Sequence, residues 1–221
     1  MGKQGGDWKS DYVQDGILMW LDGEHNSVDG THDANLTVWG DQSGNGYNWN
    51  LGGSFDVEAV SIAVSGSGYG GLVSGKSLPQ ALFAEIVMSK FGTIGNGGYE
   101  FIYGGYGNIQ TCPSNIWLIH KNNADALNFN SEVPITGVTP KLDGSITYYN
   151  SALYINDQKA ANTGFYDSWA STGAWLFQYR TGYRFAGKLY ALRLYNRVLT
   201  EAEILRNFAA DKKRFGIEVS A

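Results

Sequence analysis

Nearly every apolar run in this chain is short, and nearly every gap between runs is filled with Gly, Asn, Asp or Ser. Ile17 to Leu21, Leu36 to Trp39, Ala81 to Met88, Ile116 to His120 and Phe185 to Tyr195 have the length of strands, and the separators have the backbone freedom of tight turns. The pattern predicts an all-β chain of antiparallel strands. Composition supports it: 30 of 221 residues are glycine against 4 prolines, and aromatics reach 14% while charged residues stay at 17%. Glycine without proline excludes collagen-like and low-complexity chains, and many aromatics with few charges suit half-buried sheet faces. A chain of this size buries about 70% of its unfolded surface as one domain. It needs no metal or disulfide to fold, and its single cysteine, Cys112, has no intrachain partner.

The net charge of -5 leaves no basic field for phosphate backbones, so nucleic acid is not an expected partner. The one basic run, Lys212 to Arg214, falls at the end of a predicted helix, where cations complement the dipole. No apolar stretch has the length of a membrane span, and the N-terminus lacks the apolar region of a signal peptide, so no translocon routing is expected. Met1-Gly2 is not read as a myristoylation site because Gly6 stands where Ser or Thr is required.

Residues 1–10 read as a loose, Gly-rich arm, with one domain over 11–221. Between Ser54 and Val64 the apolar phase switches, which predicts a turn or bulge near Ala59. In Lys188 to Asn196, alternation puts Tyr190, Leu192 and Leu194 on a core face and sends Arg193 toward water. Asn156-Asp157 predicts a tight hairpin. One helix is signalled by Thr200 as cap, Glu203 as its reciprocal arm, Leu199 and Ile204 as a staple, and Gly216 as the stop. Its expected buried stripe is Ile204, Leu205 and Phe208.

Three segments resemble a known family. Phe185 to Gly216, FAGKLYALRLYNRVLTEAEILRNFAADKKRFG, is similar to the closing strand and helix of laminin-G-like domains in the concanavalin A-like lectin and glucanase superfamily. DGILMWLDGEHN (Asp15 to Asn26) with TVWGDQSGNGYN (Thr37 to Asn48) resembles the first strand and the W-x-D-x-S-G-N-G-N turn of bacterial and bacteriophage members. ALYINDQK resembles their L-Y-V-N-G-K hairpin, with Asp157 in place of glycine. Residues 60 to 140 match no such motif. The resemblance implies a jelly-roll sandwich of two antiparallel sheets with one short C-terminal helix, set on a phage virion or a bacterial extracellular surface. It is nearly silent on the ligand.

Glucanases of that superfamily resemble one another in an E-x-D-x-x-E strand, which this chain lacks. Its nearest feature, Asp56 with Glu58, reads as a solvated strand face. No other catalytic motif appears, so catalysis is not expected. Asp41, Ser43 and Asn45 occupy positions 1, 3 and 5 of a loop with Gly46 at 6, the spacing of a calcium loop, but its twelfth position is Gly52 instead of the closing Glu. The same residues suit a hydrogen-bonded turn, and both readings stand. Asp22, Glu24, Asp29 and Asp33 crowd one loop with His25 and His32 and must be solvated or share a cation. All three histidines, including His120, read as structural or surface residues.

Sugar recognition needs an aromatic platform with amides nearby. Tyr103, Tyr106 and Asn108 form one such cluster, and Asn48, Trp49 and Asn50 another, with ordinary packing at strand ends as the competing reading. The expected function is a non-catalytic recognition module that binds a glycan or contacts a cell-surface or virion protein. The alternative is a purely structural head, tail or fibre protein packing against neighbours or copies of itself. A glycoside hydrolase is the third reading and needs two carboxylates facing across a cleft.

Overall fold

The computed structural model describes residues 7–65, 67–73, 76, 78–90, 99–105, 116–121, 124–129, 145–150, 154–156, 158–159, 169–171, 174–179 and 183–218. After a 3-10 turn at Trp8–Asp11 come β1 (Ile17–Asp22), β2 (Val38–Trp39), β3 (Trp49–Gly52), β4 (Phe55–Val57), β5 (Ile62–Ser65) and β6 (Tyr69–Leu72). The middle holds β7 (Leu78–Ala81), β8 (Phe83–Lys90), β9 (Tyr99–Gly105), β10 (Ile116–Lys121), β11 (Ala124–Phe129), β12 (Thr147–Asn150), β13 (Tyr154–Ile155) and β14 (Gln158–Lys159). Then follow β15 (Trp169–Ser171), β16 (Ala174–Leu176), β17 (Gln178–Tyr179), β18 (Tyr183–Arg184), β19 (Ala186–Tyr195) and the helix α1 (Glu201–Phe215). Among the described residues no helix is long and apolar enough to cross a membrane.

Two antiparallel sheets carry the fold. One has eight strands in the order β14-β13-β12-β8-β19-β5-β4, with β1 also on β19, and the other has seven in the order β11-β10-β9-β16-β6-β3-β2. β19 is long enough to take β5 along Ala186–Leu189 and β1 along Ala191–Tyr195. The sheets share one core: Met19, Leu21, Ile62, Ile86, Leu189, Leu192 and Leu194 of the first pack with Trp39, Trp49 and Leu176 of the second. Each such side chain stabilises the fold by about 1.5 to 3 kcal/mol.

The eight-stranded sheet is buried on its outer face too. Phe83, Val87, Tyr148, Tyr190 and Tyr195 pack there against Leu199, Ile204, Phe208 and Phe215 of the helical segment. This corrects two expectations. The pairing of β19 with β8 slips between Leu189 and Ala191, so Tyr190 joins the helix face instead of that of Leu192 and Leu194. Arg193 does point away from the core, but the helix covers it and none of it meets water.

Local signals match more closely. Thr200 accepts from the Glu203 amide and Glu203 reaches back to the Thr200 amide, completing the capping box, while Gly216 ends the helix at φ 69. Leu199 and Ile204 are both buried, as a staple requires. Leu205, however, is 40% exposed, and the inward positions belong to Asn207 and Asp211 as well as Ile204 and Phe208. β4 and β5 form a hairpin around the expected turn near Ala59, and Asn156 sits at φ 55 between β13 and β14. Packing starts earlier than Asp11: Asp7 caps the 3-10 turn, and the Trp8 ring meets Trp20 edge-on at 4.7 Å between centroids.

Candidate functional site

The Asp41 loop is laced to β1 by its own side chains. Asp41 Oδ1 accepts from the amides of Trp20 (2.8 Å) and Ser43 (2.9 Å), and Oδ2 accepts from Ser43 Oγ (2.8 Å) and the Tyr47 amide (2.9 Å). Asn45 Nδ2 donates to the Leu18 carbonyl at 2.9 Å. Asp41, Ser43 and Asn45 are thus brought together as a hydrogen-bonded turn whose carboxylate already serves four protein donors. No group of three or more His, Cys, Asp or Glu side chains gathers as a metal centre among the described residues.

The neighbouring acidic loop has a cation at its centre. Asp22 is fully buried and accepts from the Glu24 and His25 amides at 3.1 Å, while Arg214 binds both its carboxylate oxygens at 2.9 Å. Arg214 also meets Glu24 at 2.9 Å and lies over the Trp8 ring at 4.6 Å. Burial works against the charged guanidinium, but Asp22, Tyr12 and Glu24 together outweigh it and raise the Arg214 pKa. Asp29 accepts from Ser27 and Thr31, which hold its carboxyl at about 2. His25 stacks on Trp8 at 4.0 Å with Nδ1 3.0 Å from the Gly30 carbonyl, and His32 lies 3.3 Å from Asn26 Nδ2. His120 falls in β10.

Beneath the helix lies a second charge cluster. Arg193 donates to Glu85 at 2.9 Å and through two nitrogens to Asp211, all three side chains being sealed from water. Tyr148 and Asn207 donate to Glu85, and Tyr12 donates to Asp211 at 2.8 Å. Burial pushes the Glu85 carboxyl up against the opposing pull of Arg193. The cluster has no access to an outside substrate and serves to anchor the helix. Asp56 is exposed on β4 at a sheet edge. Glu58 binds Lys188 and Ser61, each at 2.6 Å; those bonds outweigh its desolvation and lower its pKa.

The aromatic candidates separate. Trp49 lies wholly in the core with Nε1 donating to Met19 Sδ at 3.2 Å, so it offers no face to a ligand; strand alternation turned it inward. Asn48 accepts from the Asp41 amide at 2.8 Å. Tyr103 belongs to β9, in register with Leu176 and Ile116, and Tyr106 and Asn108 lie outside the described residues.

Asn50, one residue beyond Trp49, turns outward. It is exposed, and among the described residues its amide has no hydrogen-bond partner. It pairs in register with Gly71, and two residues on Gly52 pairs with Tyr69. Tyr69 is 43% exposed. A Cβ built on Gly52 falls 2.6 Å from Tyr69 Cζ, 2.7 Å from Oη and 2.9 Å from Cε2. A point in the ring plane beside that edge lies nearer Oη than Cζ. Here Cζ is nearest, so the ring lies face down over Gly52 and turns its other face outward. Beside it, a Cβ on Gly71 meets nothing within 4 Å among the described residues. Sequence reasoning missed Tyr69, although Gly68-Tyr69-Gly70-Gly71 carries the tyrosine-among-glycines signal that singled out Tyr103 to Asn108.

Two antiparallel sheets on one core, with a helix over the outer face of one, define a β-sandwich domain. No family model and no curated protein matches the sequence. Solved structures are similar in fold. Trypanosoma rangeli sialidase in complex with sialic acid matches at 15% identity and a TM-score of 0.60, over 92% of this chain and 34% of that one. Domain 4 of AbnA, a GH43 extracellular arabinanase from Geobacillus stearothermophilus, in complex with arabinotriose, matches at 15% identity and a TM-score of 0.57, over 87% and 98%. The binding domain of botulinum neurotoxin DC in complex with rat synaptotagmin II matches at 9% identity and a TM-score of 0.54, over 90% and 52%. The chain therefore spans only part of the sialidase and nearly the whole of the arabinanase domain.

Proposed function

We propose that this chain is a non-catalytic carbohydrate-recognition module of the laminin-G-like, jelly-roll type, displayed on a phage virion or bacterial surface. The observation that carries the reading is the Tyr69 ring lying face down on Gly52 with its other face turned outward. A sugar's C–H face needs such a flat, accessible aromatic surface, and an uncommitted amide such as that of Asn50 serves its hydroxyls. Likeness to a whole arabinanase domain solved with arabinotriose supports the reading. The non-catalytic part is supported by the missing E-x-D-x-x-E strand and by the commitment of Asp22, Asp41, Glu85 and Asp211 to internal partners.

A glycan array followed by titration of any hit against Tyr69→Ala and Tyr69→Phe tests the reading. Tyr69→Ala is expected to weaken binding by roughly fivefold or more, as aromatic truncations at interfaces do, while Tyr69→Phe keeps it. A blank array overturns the proposal and favours the structural virion protein, whereas a hit indifferent to Tyr69→Ala at an unchanged melting temperature removes Tyr69 as the site that carries it.

A further inference from the structure

Asn50, Gly52, Tyr69 and Gly71 form a two-by-two lattice on the outer face of the seven-stranded sheet, with Asn50 opposite Gly71 and Gly52 opposite Tyr69. Residues two apart on a strand stand about 6.7 Å apart on the same face. The Asn50 amide therefore rises one sugar-ring width from the backbone position that Tyr69 covers, and Gly71, where an added Cβ meets nothing within 4 Å among the described residues, adjoins both. An amide presents a carbonyl oxygen and an N–H side by side, which suits two neighbouring hydroxyls, one donating and one accepting. On a sugar stacked against Tyr69 those hydroxyls lie near the ring plane, which makes them equatorial. An axial hydroxyl on the stacked face would lift the sugar off the aromatic ring.

None of the four positions bears a charge, so an acidic sugar finds no counter-ion in the lattice. Lys76, five residues beyond Gly71, is turned onto the Tyr47 ring at 5.3 Å and the Asn45 carbonyl at 3.3 Å. We infer that this face takes a neutral pyranose with one flat C–H face and an adjacent pair of equatorial hydroxyls, with Tyr69 stacking on the ring and Asn50 reading the pair. The inference rests on the carbohydrate-recognition reading and narrows it to a sugar class.

Titration calorimetry with cellotriose, which is neutral and all-equatorial, against sialyllactose, which carries a carboxylate, tests it on the full chain. Cellotriose is expected to bind roughly tenfold tighter, and Asn50→Ala to weaken it about five- to tenfold, the value of one or two neutral hydrogen bonds. Asn50→Asp loses the N–H donor and is expected to weaken cellotriose as well. Melting temperatures of both variants are expected to match the parent, because Asn50 is exposed. Tighter binding of sialyllactose, no binding of cellotriose at millimolar concentration, or a cellotriose affinity indifferent to Asn50→Ala overturns the inference. If Tyr69→Ala still abolishes binding of an array hit in any of those cases, only the sugar class fails and the recognition reading stands. If Tyr69→Ala changes nothing either, the sugar class and the Tyr69 site both fail, and a blank array removes the recognition reading itself.

Discussion

Arg214 and Asp22 meet through two parallel hydrogen bonds of 2.9 Å that tie the last turn of α1 to the end of β1. Asp22 is sealed from water and the Arg214 side chain is 13% exposed, so removing the guanidinium leaves a carboxylate buried without its cation. Breaking such a pair from one side costs about 3 kcal/mol or more. Arg214→Ala is expected to shift the urea midpoint accordingly, and Arg214→Lys to recover only part because an ammonium cannot bond both oxygens in one plane. An unchanged midpoint for Arg214→Ala would show that the helix does not depend on this anchor.

What was legible in the sequence was local. The capping box at Thr200 and Glu203, the stop at Gly216 and the turn at Asn156 each depend on residues within a few positions of one another, and each is present. Alternation alone sends Arg193 to water, because its burial depends on Glu85 and Asp211, which are 108 positions before it and 18 after. In sequence the Arg214 run only complements a helix dipole and the acidic loop lies 190 residues earlier; folding makes them one ion cluster. At the candidate site, Asn48, Trp49 and Asn50 form one cluster in sequence, but the start of β3 divides them: Asn48 bonds the turn, Trp49 enters the core and Asn50 faces out. Tyr69 has no signal in its own segment that sets it apart from other tyrosines among glycines, because its seat is Gly52 across the sheet.

Acid should loosen the start of the helix. The hydrogen bond from Arg197, with those from Thr200, holds the Glu203 carboxyl at about 2 against an ordinary value of 4.5. A carboxyl depressed in the folded state stabilises fully above its unfolded value and loses that contribution as pH falls through its folded one. Stability is therefore expected to fall from about pH 4.5 toward pH 2, and Asp29, also held at about 2, titrates in the same window. Thermal melts at stepped pH check this. Glu203→Gln should be less stable than the parent at neutral pH and show a shallower fall; parallel pH curves for the two proteins would contradict it.

Adjacent apolar positions on the helix should behave differently. Phe208 is buried against Tyr148, with ring centroids 5.3 Å apart, whereas Leu205 is 40% exposed. Phe208→Ala is expected to cost about 3 to 5 kcal/mol through the cavity it leaves, and Leu205→Ala to stay within about 0.5 kcal/mol, as surface changes do. Urea denaturation of the two variants provides the comparison. Equal costs would mean that the helix presents Leu205 to the sheet after all.

The last prediction concerns Gly52, whose missing side chain lets the Tyr69 ring lie down. An alanine methyl there would fall 2.6 Å from Tyr69 Cζ, closer than carbon atoms tolerate, and the ring is the part free to move because it ends an exposed side chain. Gly52→Ala should therefore lift the ring and remove its outward face while leaving the core intact. Binding of cellotriose, or of another sugar identified by array, should drop in Gly52→Ala about as far as in Tyr69→Ala. The double variant should be no worse than Tyr69→Ala alone, since the two residues act through one surface and a double-mutant cycle reports that coupling as non-additivity. Additive losses would mean that Gly52 contributes by some route other than seating Tyr69. A drop in melting temperature matching the loss of binding would point to the β3–β6 pairing itself rather than to the orientation of the ring.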